Sequence, residues 1–364
     1  MAQPQVPSRQ QDGRIRDRRV LGTFSTDENR RYRNDDRNRR FFVEPDNPVD
    51  FDYARGFGDY VDMGDDEGDT TSLDNVLSWI RDHKILLKED GILDSKRSRL
   101  NMDFVGRRGT FKELLSAGGT MDADIELFVT LYRGTYYLSQ FWTPEDKSRQ
   151  PLTRKQQMIA ASSKLFLQFV TSKEGCEAGS YAPLNDNASY YAMMSALCGK
   201  HRMLFSSEVQ AEGKDELKRL KTSPSNYLNI RTNGQAFLNP KKALKWWAPN
   251  ALSGIPKIVC GLRDDRRKLV RSIEYIHTDR IPEQYAKNEW APDACMETMD
   301  SLLSQIKDMV QDDDMCSVYH LALERVEGGR RSYHQRPSRR FVSHGKRTDD
   351  CTLIKEELIN AIFE

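Results

Sequence analysis

The chain has 364 residues, 38% of them hydrophobic and 30% charged, with 56 Lys and Arg set against 55 Asp and Glu. That length and apolar content suffice for one large or two ordinary domains, and a formal charge of +1 excludes attraction of a polyanion by net charge, so any nucleic-acid contact needs a local basic surface. No apolar run approaches the ~18 residues of a membrane span, and the opening MAQPQVPSRQQDG holds no signal-peptide core.

Residues 1–19 combine Pro, Gln and Arg with almost nothing apolar and read as a disordered tail, leaving 20–364 as a single domain. The Arg, Asn and Asp run from Arg30 to Arg40 and the acidic run at 59–69 read as solvated loops. Thr71 with Asp74 reads as a capping box, followed by Leu73, Val76, Leu77, Ile80 and Leu87 at helical spacing. The runs Asp124–Leu131 and Thr135–Trp142 flank Tyr132, Arg133 and Gly134 as a hairpin. Thr153 with Gln156 caps a second helix, whose Met158, Ala161, Leu165, Phe166 and Phe169 form an apolar stripe, and a third helix is expected over Ala188–Lys200.

Further along, Pro240 suits the first turn of a helix carrying KKALKWWAPNAL, because its missing N–H costs nothing there. Ile255–Leu262 and Leu269–Ile276 read as strands, Pro292–Val310 as a long helix, Ser317–Val326 as a strand and Thr352–Phe363 as a closing helix. Strands and helices interleave without repeats, which predicts an α+β fold with a mixed β-sheet core and flanking helices. The six cysteines have neither a CxxC pair nor zinc spacing and read as reduced thiols of a cytosolic or nuclear protein. His201, His277, His320 and His334 are not at metal spacing, and the aromatic run Tyr132–Trp142 reads as core. The basic stretch Arg325–Arg347 is either an RNA-backbone contact or a solvated loop.

The stretch Met203–Ser223, MLFSSEVQAEGKDELKRLKTS, carries the most chemistry. Two strands that present an acidic pair at alternate positions and an acid-x-Lys triplet would converge on a divalent cation. Here Glu208 is followed at the alternate position by Gln210, and Lys221 is preceded by Arg219. A second register uses Glu216, Leu217 and Lys218 instead, and strand parity makes the two mutually exclusive without a bulge.

The ordered segments RRGTFKELL, LYRGTYYLSQFWTP, LFSSEVQ, LKTS and KALKWWAPNALSGIPKIVCGLRD resemble the DXO family of decapping nucleases and 5′-3′ exoribonucleases. The resemblance implies hydrolysis at RNA 5′ ends by water activated on Mg²⁺ or Mn²⁺, with removal of incomplete or dinucleotide caps. It further implies RNA 5′ ends and proteins of RNA processing as partners, with a nuclear, or nuclear and cytoplasmic, location. It assigns Arg108 to the phosphate of bound RNA, Lys221 and Glu208 to catalysis, and Glu208, with Glu216 in the second register, to the metal. Departures are as informative. Gln210 and Arg219 replace acids of the pattern, the helix motif expected near Ser162–Gln168 keeps Lys164 without an acid after it, and Pro249 stands where active members have Gln. A single carboxylate is a poor Mg²⁺ site. The expectation is therefore a catalytically degenerate member that keeps an RNA 5′-end groove and needs no metal. The alternatives are a divalent-metal nuclease using Glu208, Glu216 and Lys218, and a scaffold without RNA contact.

Overall fold

A computed structural model describes residues 15–62, 72–119, 125–141, 152–213, 224–235, 237–325, 339–347 and 352–364. Its first strand, β1 (Ile15–Thr26), begins inside the stretch expected to be a tail: alternating Arg and Asp hid a strand whose Ile15, Val20 and Phe24 are buried. Short strands β2 (Tyr32–Arg33), β3 (Phe41–Phe42) and β4 (Phe51–Asp52) follow, then β5 (Leu93–Asp94), β6 (Arg99–Leu100), β7 (Phe104–Arg107), β8 (Ile125–Tyr132) and β9 (Thr135–Phe141). The middle of the chain supplies β10 (Thr171–Ser172), β11 (Tyr190–Cys198), β12 (His201–Glu208), β13 (Ala211–Glu212) and β14 (Tyr227–Asn233). The last strands are β15 (Lys257–Asp264), β16 (Leu269–His277), β17 (Tyr319–Arg325) and β18 (Arg339–Lys346).

These strands build a nine-stranded sheet in the order β18-β17-β8-β9-β7-β12-β11-β1-β2 and a seven-stranded sheet in the order β10-β3-β13-β14-β15-β16-β4, with β5 and β6 paired separately. Both large sheets mix parallel and antiparallel neighbours: β12 runs parallel to β7 and antiparallel to β11, and β14 parallel to β15 and antiparallel to β13. The eight helices among the described residues are α1 (Asp74–Asp82), α2 (Lys84–Glu89), α3 (Arg108–Ser116), α4 (Arg154–Phe169), α5 (Pro240–Ser253), α6 (Ile281–Tyr285), α7 (Pro292–Met309) and α8 (Glu356–Phe363).

Strand β12 shows how the layers form. Met203 and Phe205 enter a core with Phe111 of α3, Trp247 of α5 and Leu302 of α7, while Leu204 enters a second core with Leu77 of α1 and Ile359 of α8. Both faces of the strand are thus covered, as expected where successive side chains point to opposite sides. A third core packs Leu165 and Phe166 of α4 onto Ile230, Val259 and Val270 of the smaller sheet. The predicted caps of α4 and α5 are present. Thr153 and Gln156 form both bonds of a capping box, and α5 opens on Asn239 and Pro240 and closes on Gly254 in the left-handed region at φ 71°. A Cβ at that glycine would also lie 2.8 Å from Arg18 and 2.9 Å from Pro224.

The helix expected over Ala188–Lys200 is instead strand β11. Helix α1 begins as expected, but its first turn is served by Ser72, whose Oγ accepts from Asp74 N at 3.1 Å; Thr71 lies outside the described residues. Tyr136 and Tyr137 are core, as read from the sequence, and His201 is buried with its Nε2 2.9 Å from Ser304 Oγ. Among the described residues no helix is long and apolar enough to cross a membrane.

Candidate active site at the seam between the sheets

The chain passes from one sheet to the other in two residues, because β12 ends at Glu208 and β13 begins at Ala211. Glu208 therefore stands at the rim of the larger sheet and Gln210 at the entrance to the smaller one. Helix α4, held on β14 by Ser162 and Ser163 against Thr232 Oγ1 at 2.8 and 3.0 Å, aims Lys164 into this seam. The Lys164 ammonium lies 2.7 Å from Glu208 Oε1 and 2.8 Å from Asp186 Oδ1, and all three side chains are largely buried.

Electrostatics lock this triad. Burial alone would raise Glu208, but the charges of Lys164 and Arg108 outweigh it and hold the carboxyl at about 2. Lys164 is the converse, its ammonium kept well above the ordinary lysine value because the Glu208 and Asp186 charges overcome desolvation. Asp186 is pushed upward, by burial first and by Glu208 as well, against the pull of Lys164.

Two arginines complete the charge pattern. Arg108, on the first turn of α3, donates from Nη1 to Ser207 Oγ and to the Glu208 carbonyl, both at 3.1 Å, and its Nη2 is 3.9 Å from Glu208 Oε2. Arg231, on β14, is lowered by burial and feels both the Glu208 and the Arg108 charge. Strand parity puts Asn229 on the same face as Arg231. Asn229 is buried and donates to Asn250 Oδ1 at 3.0 Å, and its own Oδ1 has no partner among the described residues. Gln210 is spent on structure: its Oε1 accepts from Ile230 N at 2.6 Å and stands in for a ladder carbonyl.

The sequence reading placed Lys221 and Arg219 on the returning strand, with Glu216 and Lys218 as the other register. Residues 214–223 lie outside the described residues, and the strand that pairs with β13 is Tyr227–Asn233, in the register Ala211 to Leu228 and Glu212 to Tyr227. The acid-x-Lys position facing Glu208 is thus filled by Asn229, Ile230 and Arg231. The alternation of Tyr227, Asn229 and Arg231 with Leu228 and Ile230, between SPSN and the Asn-Gly pair, was the signal available for β14. Asp186 could not be found that way, since it comes from a loop without periodicity. Pro249 sits inside α5, one residue before the Asn250 that binds Asn229.

These residues do not make a divalent-ion site. Hard cations need several converging oxygens, and among the described residues no group of three or more His, Cys, Asp or Glu is arranged to hold a metal. The two acids present already share the Lys164 ammonium. An ion about 4 Å from that ammonium would be repelled by roughly 8 kcal/mol at an effective dielectric near 20, twice the figure for two unit charges.

Beside the triad opens a cleft of about 220 Å³ lined by Arg30, Arg107, Arg108, Phe24, Tyr191 and Glu208 among others. The Tyr191 ring stacks on Phe24 at 5.0 Å between centroids. Guanidinium groups with an aromatic floor suit phosphates and bases of a single strand.

The description RAI1-like PD-(D/E)XK nuclease matches residues 18–351. The chain belongs to this family. It is 29% identical over 321 residues to the decapping and exoribonuclease protein of Xenopus laevis, covering 84% of this chain and 79% of that one, and 28% identical over 311 residues to the human protein of the same name, covering 81% and 75%. Its fold matches Scheffersomyces stipitis Rai1 in complex with (3′-NADP)+ and calcium ion, with a TM-score of 0.72 at 19% identity over 88% of this chain and 90% of that one. It also matches Candida albicans Rai1 in complex with pU5-Mn2+, with a TM-score of 0.68 at 16% identity over 84% of this chain and 86% of that one.

Proposed function

We propose that this member of the family binds RNA 5′ ends without hydrolysing them. The observation that carries the reading is that the two acids described at the seam, Glu208 and Asp186, are both spent on the Lys164 ammonium. Around it, Asn229 is a neutral amide, Arg231 a permanent cation and Gln210 a side-chain acceptor for a backbone N–H, so among the described residues no carboxylate is free to activate water. What persists is the phosphate-binding side of the seam: Arg108, Arg107 and Arg30 along the cleft, with Tyr191 beside them. A fold does not by itself confer its family's reaction. The Candida albicans relative solved with pU5 supports a 5′-terminal segment of RNA as the ligand class, and such a ligand agrees with a nuclear or cytoplasmic role in RNA processing or quality control.

The test is turnover with Mn²⁺ on 5′-monophosphate, 5′-triphosphate and dinucleotide-capped RNAs, beside a Glu208→Ala control. We expect no turnover above that control and retained RNA binding. Turnover that disappears in the control would overturn the reading and favour an active nuclease that recruits Glu216.

A further inference from the structure

Strand β3 is held between β10 and β13, and this pairing brings Arg40, just before it, to the back of the seam. The Arg40 carbonyl accepts from Glu212 N at 2.9 Å, fixing its backbone. The side chain is 91% buried, yet its single described hydrogen bond is a long one, Nη1 to Thr171 Oγ1 at 3.4 Å, and no described carboxylate pairs with it. The Thr171 hydroxyl already donates to the Leu167 carbonyl at 2.6 Å, so it meets the guanidinium only as an acceptor. Lys173, one residue past β10, is the second cation here; among the described residues its Nζ bonds the amide oxygen of Asn38 at 3.3 Å, and its pKa is lowered by burial and then by the charge of Arg40, against the pull of Glu28.

Both cations line one cavity of about 560 Å³ whose wall includes Gln168, Ser180 and Asn185, with the acids Glu28 and Glu177 exposed at its rim. Arg40, Leu184, Asn185 and Ala188 also line the small pocket that contains Lys164, Glu208 and Gln210, so the cavity joins the seam from behind. Asp186 and Glu28 act on Arg40 and Lys173 only from a distance, with no ion pair within 4 Å among the described residues, and burying a charge that lacks a direct partner is costly. An arginine kept there despite that cost has its fork available to an oxyanion.

We propose that Arg40 and Lys173 form a phosphate seat, distinct from the Arg108 cleft, that takes the terminal phosphate of a 5′-phosphorylated RNA threaded past Lys164. This rests on the RNA-end reading above for its ligand, while the seat itself rests on two cations that have no direct ion pair among the described residues. Gln168 and Asn185 supply amides at the same cavity wall, and its volume accommodates a nucleotide.

The experiment compares paired short oligoribonucleotides, 5′-phosphate against 5′-hydroxyl, on the full chain. The expected result is at least about tenfold tighter binding of the phosphorylated form, the equivalent of one charge-assisted contact. Arg40→Gln should erase that preference while leaving the 5′-hydroxyl affinity unchanged. A merely structural arginine would lower thermal stability when replaced; a seat arginine, freed of its uncompensated charge, should leave the ligand-free Tm unchanged or higher. Equal affinity of the wild type for both oligonucleotides overturns the seat and leaves RNA binding intact. If neither oligonucleotide binds, the RNA-end reading fails and millimolar inorganic phosphate decides the seat. A Tm increase over chloride at matched ionic strength, lost in Arg40→Gln, keeps it as a phosphate site, and no such increase removes it. Should Arg40→Gln fail to fold, Lys173→Met, at a partly exposed position, serves in both arms.

Discussion

Glu208 shows how the groups around a retained residue change its meaning. The acid survives at the position a metal site needs, but its depressed pKa belongs to an ion pair. Because the folded-state value, about 2, lies below the ordinary 4.5, the stability it contributes is full above pH 4.5 and is lost as pH falls toward 2. Unfolding free energy measured across that window should fall in wild type and stay flatter in Glu208→Gln. At pH 7 the same substitution leaves a partly buried ammonium with one acid and should cost about 3 kcal/mol in denaturant titrations. The reverse deletion, Lys164→Ala, leaves Glu208 and Asp186 facing each other without a cation. Calorimetry with Mn²⁺ should then register binding that wild type lacks; none in either protein would argue against the two acids sharing one focus. Glu208, Lys164 and Arg108 were legible because the segments around them resemble the family's. Asp186 was hidden by its loop, and Arg231 by a nearby string, LKTS, that resembles the family's letters.

Elements were read best where a local end signal accompanied the pattern. Helix α4 has its reciprocal Thr153 and Gln156 bonds, and Thr153→Ala should lower stability by about 1 kcal/mol, seen as a lower urea midpoint at unchanged slope. Helix α5, between Asn239-Pro240 and Gly254, was equally clear. Strand β11 failed for a physical reason: YYAMMSALC is covered on both faces, so the alternation that marks a half-exposed strand is missing and the apolar run is equally compatible with a helix. Strand β1 failed in the opposite way, its exposed Arg and Asp residues imitating a solvated tail while Val20, Leu21 and Phe24 packed into two cores. Neither error touched the α+β class, which depends on the mixture of elements and not on each assignment.

For the whole molecule, a net charge of +1 means that affinity for RNA must come from local groups of cations such as those lining the cleft. With about three phosphate contacts from Arg30, Arg107 and Arg108, affinity for single-stranded RNA should fall roughly 20-fold between 50 and 200 mM salt. A flat salt response would point to recognition by stacking on Tyr191 instead. The two-sheet architecture adds a consequence of its own. Lys164 rides on the helix of the smaller sheet, Glu208 ends a strand of the larger one, and their contact is a rivet between the two halves. A metal rivet comes and goes with supply, but this one is part of the polypeptide and is in place whenever the chain is folded. Chelators should therefore leave the protein's melting unchanged, and its grip on a ligand should be indifferent to the divalent ions of whichever compartment it occupies.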